Sequence, residues 1–176
     1  MLQYIDTHSH IYETEFDDDR TVVVERAIAA GVDRMLLPAI DTHSHRRMID
    51  LAQAYPENYF PMMGLHPTSV NENPTWREEL AEVESFLRQP PKGVRFYAVG
   101  EIGLDYYWSQ NYVEDQREAL IQVSQPACGL PRDSGPICFS LLYKAVDCTG
   151  WVSAFEPTVL LSFGVSAQDL ASVDTG

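Results

Sequence analysis

With 176 residues, 45% of them hydrophobic and 11% aromatic, the chain has the size and apolar content to bury the core of one domain and is too apolar to be disordered. Twelve Lys and Arg against 26 Asp and Glu leave a net charge of −14, which disfavours a tight, non-specific grip on duplex phosphates but allows contact with phosphate through bound cations. Neither a secretory leader nor an apolar stretch of about 18 residues occurs, so no membrane span is expected and a cytoplasmic location follows by default.

In chain order, Leu2, Gln3, Tyr4 and Ile5 form a first apolar strand that runs into Asp6-Thr7-His8-Ser9-His10. Alternate side chains of an extended segment share a face, so His8 and His10 project to the same side where the strand ends. Two imidazoles on one rigid element suit Zn, Mn, Fe, Co or Ni, and a carboxylate from elsewhere completes a set able to activate water. The plainer alternative for such a pair is two surface or capping histidines. Residues 21–30 come next as a helix with Val23, Ala27 and Ala30 at helical spacing, preceded by Asp17-Asp18-Asp19 and ended by Gly31. Residues 34–40 read as a second strand. Met48, Leu51, Ala52 and Tyr55 line a second helix stopped by Pro56. Residues 59–65 are a third strand, Trp76, Leu80, Val83 and Leu87 line a third helix, and residues 96–102, which contain Glu101, are a fourth strand.

Uninterrupted alternation of apolar strands with helices predicts a parallel sheet, doubly wound or closed as a barrel. The barrel is favoured because His8, His10, His66 and Glu101 all sit at or after strand ends, and no glycine-rich phosphate loop follows any strand. The expected fold is therefore an α/β, TIM-barrel-like parallel barrel with fewer than eight strands, since a complete one takes about 250 residues. Beyond a helix at 112–123 the rhythm fails. Pro126, Gly129, Pro131, Gly135 and Pro136 interrupt the place where a fifth strand is due, and residues 158–163 are a late strand, with Ser166 and Asp169 starting a last short helix. Cys128, Cys138 and Cys148 have no zinc-site spacing and are odd in number, so free thiols are expected.

Asp41-Thr42-His43-Ser44-His45 repeats the first pentapeptide letter for letter and is a rival metal pair. Asp41 and Thr42 are good N-cap residues, however, and a helix that starts there turns His43 and His45 about 200° apart. Arg46 and Arg47 also oppose a cation. A capped helix start is the expectation.

Three motifs together, Ile5-Asp6-Thr7-His8-Ser9-His10, Gly64-Leu65-His66-Pro67 and Val99-Gly100-Glu101-Ile102-Gly103-Leu104-Asp105-Tyr106-Tyr107, closely resemble the TatD family of metal-dependent deoxyribonucleases, within the wider amidohydrolase-like group. The resemblance is continuous over about 1–123 and patchy over 124–176, within a single domain spanning 1–176. It implies a TIM-barrel phosphodiesterase with two divalent cations, Zn, Mn, Mg, Co or Ni not being distinguished. His8 and His10 would bind one cation, Glu101 would bridge both as the catalytic carboxylate, and His66 would lie at the substrate end of the third strand. DNA, single-stranded or at its ends, is the implied substrate. The plainer readings are a capping carboxylate for Glu101 and a turn residue for His66, and Asp105 stays open.

Departures from the family pattern fall in the second half. Leu130 and Pro131 run directly into Arg132, Asp133 and Ser134, as though the fifth strand and its histidine were deleted, and Leu161 stands where a sixth-strand histidine is expected. The family's last metal-binding aspartate would lie beyond Gly176. The second cation position is therefore expected to be empty or very weak, and the first weakened. Two other readings remain: a catalytically inactive, truncated remnant of such an enzyme, or a metal-dependent ester or amide hydrolase of the same superfamily.

Overall fold

The computed structural model describes residues 4–128, 138–144 and 160–163. Six strands, β1 (Tyr4–Asp6), β2 (Val32–Pro38), β3 (Tyr59–Met63), β4 (Ala98–Asp105), β5 (Cys138–Lys144) and β6 (Leu160–Phe163), form one sheet in the order of the chain. Every adjacent pair is parallel. Parallel neighbours need crossovers, and the first four are α1 (Arg20–Ala29), α2 (Thr42–Ala54), α3 (Trp76–Arg88) and α4 (Val113–Cys128), the connection from β5 to β6 lying outside the described residues. Crossovers of one hand between strands that always advance in one direction place all helices on one face and curl the sheet, which is the barrel arrangement rather than the doubly wound one. The curl is visible in the backbone: beyond β2, the Ala39 N–H donates to both the Met62 and Gly100 carbonyls, and the Glu101 N–H donates back to Ala39 at 3.0 Å. Thus β2 and β4 meet across the end of β3.

Apolar periodicity explains the helices. Trp76, Leu80, Val83 and Leu87 are all buried, as their spacing predicts, and α2 buries Met48, Ile49, Leu51 and Ala52. In α1 the expected stripe is displaced. Val24 is the buried residue, Val23 and Ala27 pack only in part against the core, and Ala30 is exposed at the C-cap, where Gly31 turns the chain with φ 93°. The central strand β4 is buried along its whole length, which is the signature of a parallel strand covered on both faces.

Two expectations need correction. β4 spans Ala98–Asp105 rather than residues 96–102, because its pairing with β5 continues through Ile102, Gly103, Leu104 and Asp105. The fifth strand is not deleted: β5 begins at Cys138, past the proline and glycine stretch, and pairs with β4 from Ala98 to Asp105. The sequence Cys138-Phe139-Ser140-Leu141-Leu142-Tyr143 supplies the apolar run, but no histidine. The late strand is present as β6. The helix expected from Ser166, and Cys148, lie outside the described residues. Among those residues no helix is long and apolar enough to cross a membrane.

Candidate metal centre

β1 ends at Asp6, and the backbone continues beside β2, with the Ser9 N–H donating to the Leu36 carbonyl at 3.0 Å. The Asp6 carboxylate accepts from the His8 N–H at 3.0 Å and fixes the turn out of the strand. The next loop is tied down by two arginines. Arg20 donates to the carbonyls of Ile11, Tyr12 and Glu13, and Arg47 donates to Tyr12 at 2.9 Å. Arg47 therefore binds the Tyr12 carbonyl and Asp17 rather than guarding a cation position.

The expected convergence occurs. The Nε2 atoms of His8 and His10 lie 3.0 Å apart with their rings edge to face, and Glu101 Oε2 lies 3.3 Å from His8 Nε2 and 3.8 Å from His10 Nε2. All three donor atoms fall within 4.8 Å of one another. His66 Nε2 stands 3.7 Å from the other carboxylate oxygen, Oε1. Glu101 thus faces the histidine pair with one oxygen and His66 with the other.

Local backbone features aim Glu101. The register of β4 against β5 shifts between Val99 and Ile102, an irregularity of the kind that re-aims a side chain. Directly beneath, a Cβ on Gly64 would stand 2.6 Å from the Gly100 carbonyl carbon and 2.8 Å from the Glu101 carbonyl oxygen. Only glycine lets β3 pass this close. The Gly64 carbonyl in turn accepts from Nε2 of the buried His45 at 3.1 Å.

Electrostatics separate the groups. Burial pushes the Glu101 carboxyl up, but the hydrogen bond from His8 and the charges of His66, His8 and His10 outweigh it, so its pKa is lowered and it stays a carboxylate. The same hydrogen bond to Glu101 raises His8 against the effect of burial, with the charges of Glu101 and Asp6 adding to it. Burial and then the neighbouring His8 lower His10, which stays neutral. Two imidazoles and one carboxylate around a common point match the donor set of Zn or a similar divalent ion, so the residues present fit such an ion.

His66 caps the short turn Pro67–Val70. Its Nδ1 accepts from the Thr68 N–H at 3.1 Å and sits 2.6 Å from the Thr68 hydroxyl, so the ring proton resides on Nε2 and points toward Glu101. Asp105 is buried but serves the loop: its carboxylate accepts from the Tyr107 N–H, and its own backbone is bracketed by Gln116. The repeated pentapeptide forms a capped helix start, as expected. Asp41 and Ser44 make a reciprocal capping box, His43 is exposed and His45 is buried. Sequence reasoning missed Tyr12, whose hydroxyl lies 2.8 Å from His10 Nδ1. Its signal was the same alternation that pairs His8 with His10, carried one step further.

Comparisons with known proteins identify a family. The family model described as TatD related DNase matches residues 5–130. A 3'-5' ssDNA/RNA exonuclease TatD of Pectobacterium atrosepticum is 28% identical over 168 residues, 92% of this chain and 60% of that protein. The uncharacterized metal-dependent hydrolase YjjV of Escherichia coli is 34% identical over 123 residues, 68% of this chain and 44% of that protein. The crystal structure of YjjV, a TatD homologue, matches with a TM-score of 0.65 at 28% identity, over 79% of this chain and 50% of that chain. The chain spans about half the length of the curated relatives it matches.

Proposed function

Since the chain belongs to the TatD related DNase family, we propose that it is a metal-dependent nuclease that hydrolyses phosphodiester bonds of DNA. The observation that carries this reading is the meeting of His8, His10 and Glu101 within 4.8 Å. A divalent cation, when bound there, supplies an acidified water and offsets phosphate charge. The other roles belong to the chain. His8 and His10 would hold the ion through imidazole nitrogens, and Glu101 through its carboxylate. His66 presents its Nε2–H beside Oε1, where it donates to a non-bridging phosphate oxygen of the substrate.

Single-stranded DNA or DNA ends are the substrate we infer, in line with the name of the Pectobacterium relative. A net charge of −14 weakens attraction to a phosphate backbone, so uncharged contacts must contribute. Tyr107 and Trp108, both about 70% exposed in the loop after β4, give ring faces on which unpaired bases stack. We assign one cation to the described donors and a weak or empty second position. Leu161 at the place of a family histidine supports this, as does a sequence with no histidine after His66.

The test is release of nucleotides from end-labelled single-stranded DNA by the purified chain with Mg, Mn, Co, Ni or Zn. Metal-dependent release that disappears in His8→Ala and Glu101→Ala but persists in the exposed-site control His43→Ala is expected. Inactivity with every metal overturns the reading in favour of a remnant, and equal activity in a chelator overturns the metal role.

A further inference from the structure

Tyr12 is fully buried, and its hydroxyl lies against Nδ1 of His10 at 2.8 Å, the carbonyl of Pro38, where β2 ends, and the Ser44 side chain, whose own hydroxyl hydrogen goes to the Asp41 carbonyl at 2.8 Å. A phenol has one hydrogen to give. A backbone carbonyl can only accept, so that hydrogen goes to Pro38, and toward His10 the phenol oxygen is left as an acceptor. His10 must then donate from Nδ1. A neutral imidazole carries one ring proton, so His10 Nε2 is bare, with its lone pair directed at the gap 3.0 Å from His8 Nε2 and 3.8 Å from Glu101 Oε2.

We infer that Tyr12 is a positioning residue: by bridging Pro38 and His10 it locks His10 in the Nδ1–H tautomer and so keeps the Nε2 lone pair turned into the metal centre. The consequence for cation affinity rests on the proposed metal reading, whereas the tautomer itself does not. Histidine ligands commonly have a carboxylate or backbone carbonyl behind them. Here a neutral phenol stands behind the ring together with the Pro38 carbonyl, which also acts on His10, and it adds no negative charge next to Glu101. His66 provides the contrast within the same centre. The Thr68 N–H fixes the opposite tautomer there, so one ring offers a lone pair to a cation and the other an N–H to an anion.

The experiment uses the full chain, labelled with ¹⁵N-histidine and stripped of metal, at a pH well above the ordinary imidazole pKa of about 6.5. Long-range proton–nitrogen correlations should assign His10 as Nδ1–H and His66 as Nε2–H in the unmodified chain. Tyr12→Phe keeps the ring and removes the bridge. It should turn His10 into a mixture of tautomers, leave His66 unchanged, and weaken Mn²⁺ binding about 10–100-fold by calorimetry. An Nε2–H assignment for His10 in the unmodified chain overturns the inference whether or not the variant folds. So does a Tyr12→Phe chain with unaltered His10 signals. A chain that binds no divalent ion while showing the Nδ1–H tautomer sinks the nuclease reading and leaves the tautomer lock standing.

Discussion

Gly64 is the residue on which the centre turns, because what crowds it is backbone and backbone cannot swing aside. A methyl group there meets the Gly100 carbonyl carbon at 2.6 Å and must push β4 away from β3. Gly64→Ala is expected to destabilise the chain by about 1–3 kcal/mol in urea titration and to weaken Mn²⁺ binding, since Glu101 rides on the displaced segment. His45, donating to the same Gly64 carbonyl, gives a pH signature. Burial lowers its pKa below the usual 6.5, against the raising effects of the Gly64 carbonyl, Glu82 and Asp41. The folded state therefore binds a proton there less readily than the unfolded state does. The contribution of neutral His45 is fully present above about pH 6.5 and is lost as pH falls through its lowered folded value. The urea midpoint should drop over that range, and His45→Gln should flatten the drop. Residue placement was legible where a pattern announced it: spacing and strand position brought His8, His10 and Glu101 to one point. Tyr12 and Gly64 were not legible, since a phenol and a glycine carry no metal-binding label and matter only through groups brought near by folding.

At the scale of elements, the two copies of Asp-Thr-His-Ser-His are a controlled comparison. The first comes after β1 and leads into Ile11 and Tyr12, which sink into the core and hold the chain as a loop stapled by Arg20 and Arg47. The second leads into Arg46-Arg47-Met48-Ile49, whose apolar spacing commits it to α2, with Asp41 accepting from the Ser44 N–H at 3.0 Å. Five identical residues thus take two structures, and the choice is made by their C-terminal neighbours. Asp41→Ala should cost about 0.5–2 kcal/mol in thermal or urea unfolding through loss of the cap. His43→Ala should change neither stability nor metal binding, which an identical titration of both chains would check. Helices α2 and α3 were readable because their stripes are long and regular. The fifth strand was not, because proline and glycine between α4 and β5 mask where the apolar run resumes, and α1 was misaligned because its short stripe permits more than one face.

For the whole molecule, alternation made the parallel sheet legible and the polar residues at strand ends tipped it toward a barrel, and six parallel strands in chain order bear that out. The same order has a kinetic meaning. Each strand can dock on the one made just before it, so assembly can proceed outward by local steps, and topology of this kind puts few long searches in the way. The contact between His8 and Glu101 is different: it joins the first strand's exit to the fourth strand, and it can close only when three intervening crossovers are in place. A cation gripping both would then act as a late latch, absent from the rate-limiting passage toward the native state and broken on the way out. Added Mn²⁺ should slow unfolding in urea-jump measurements and leave the refolding limb unmoved, and an equal acceleration of refolding would place that closure early instead.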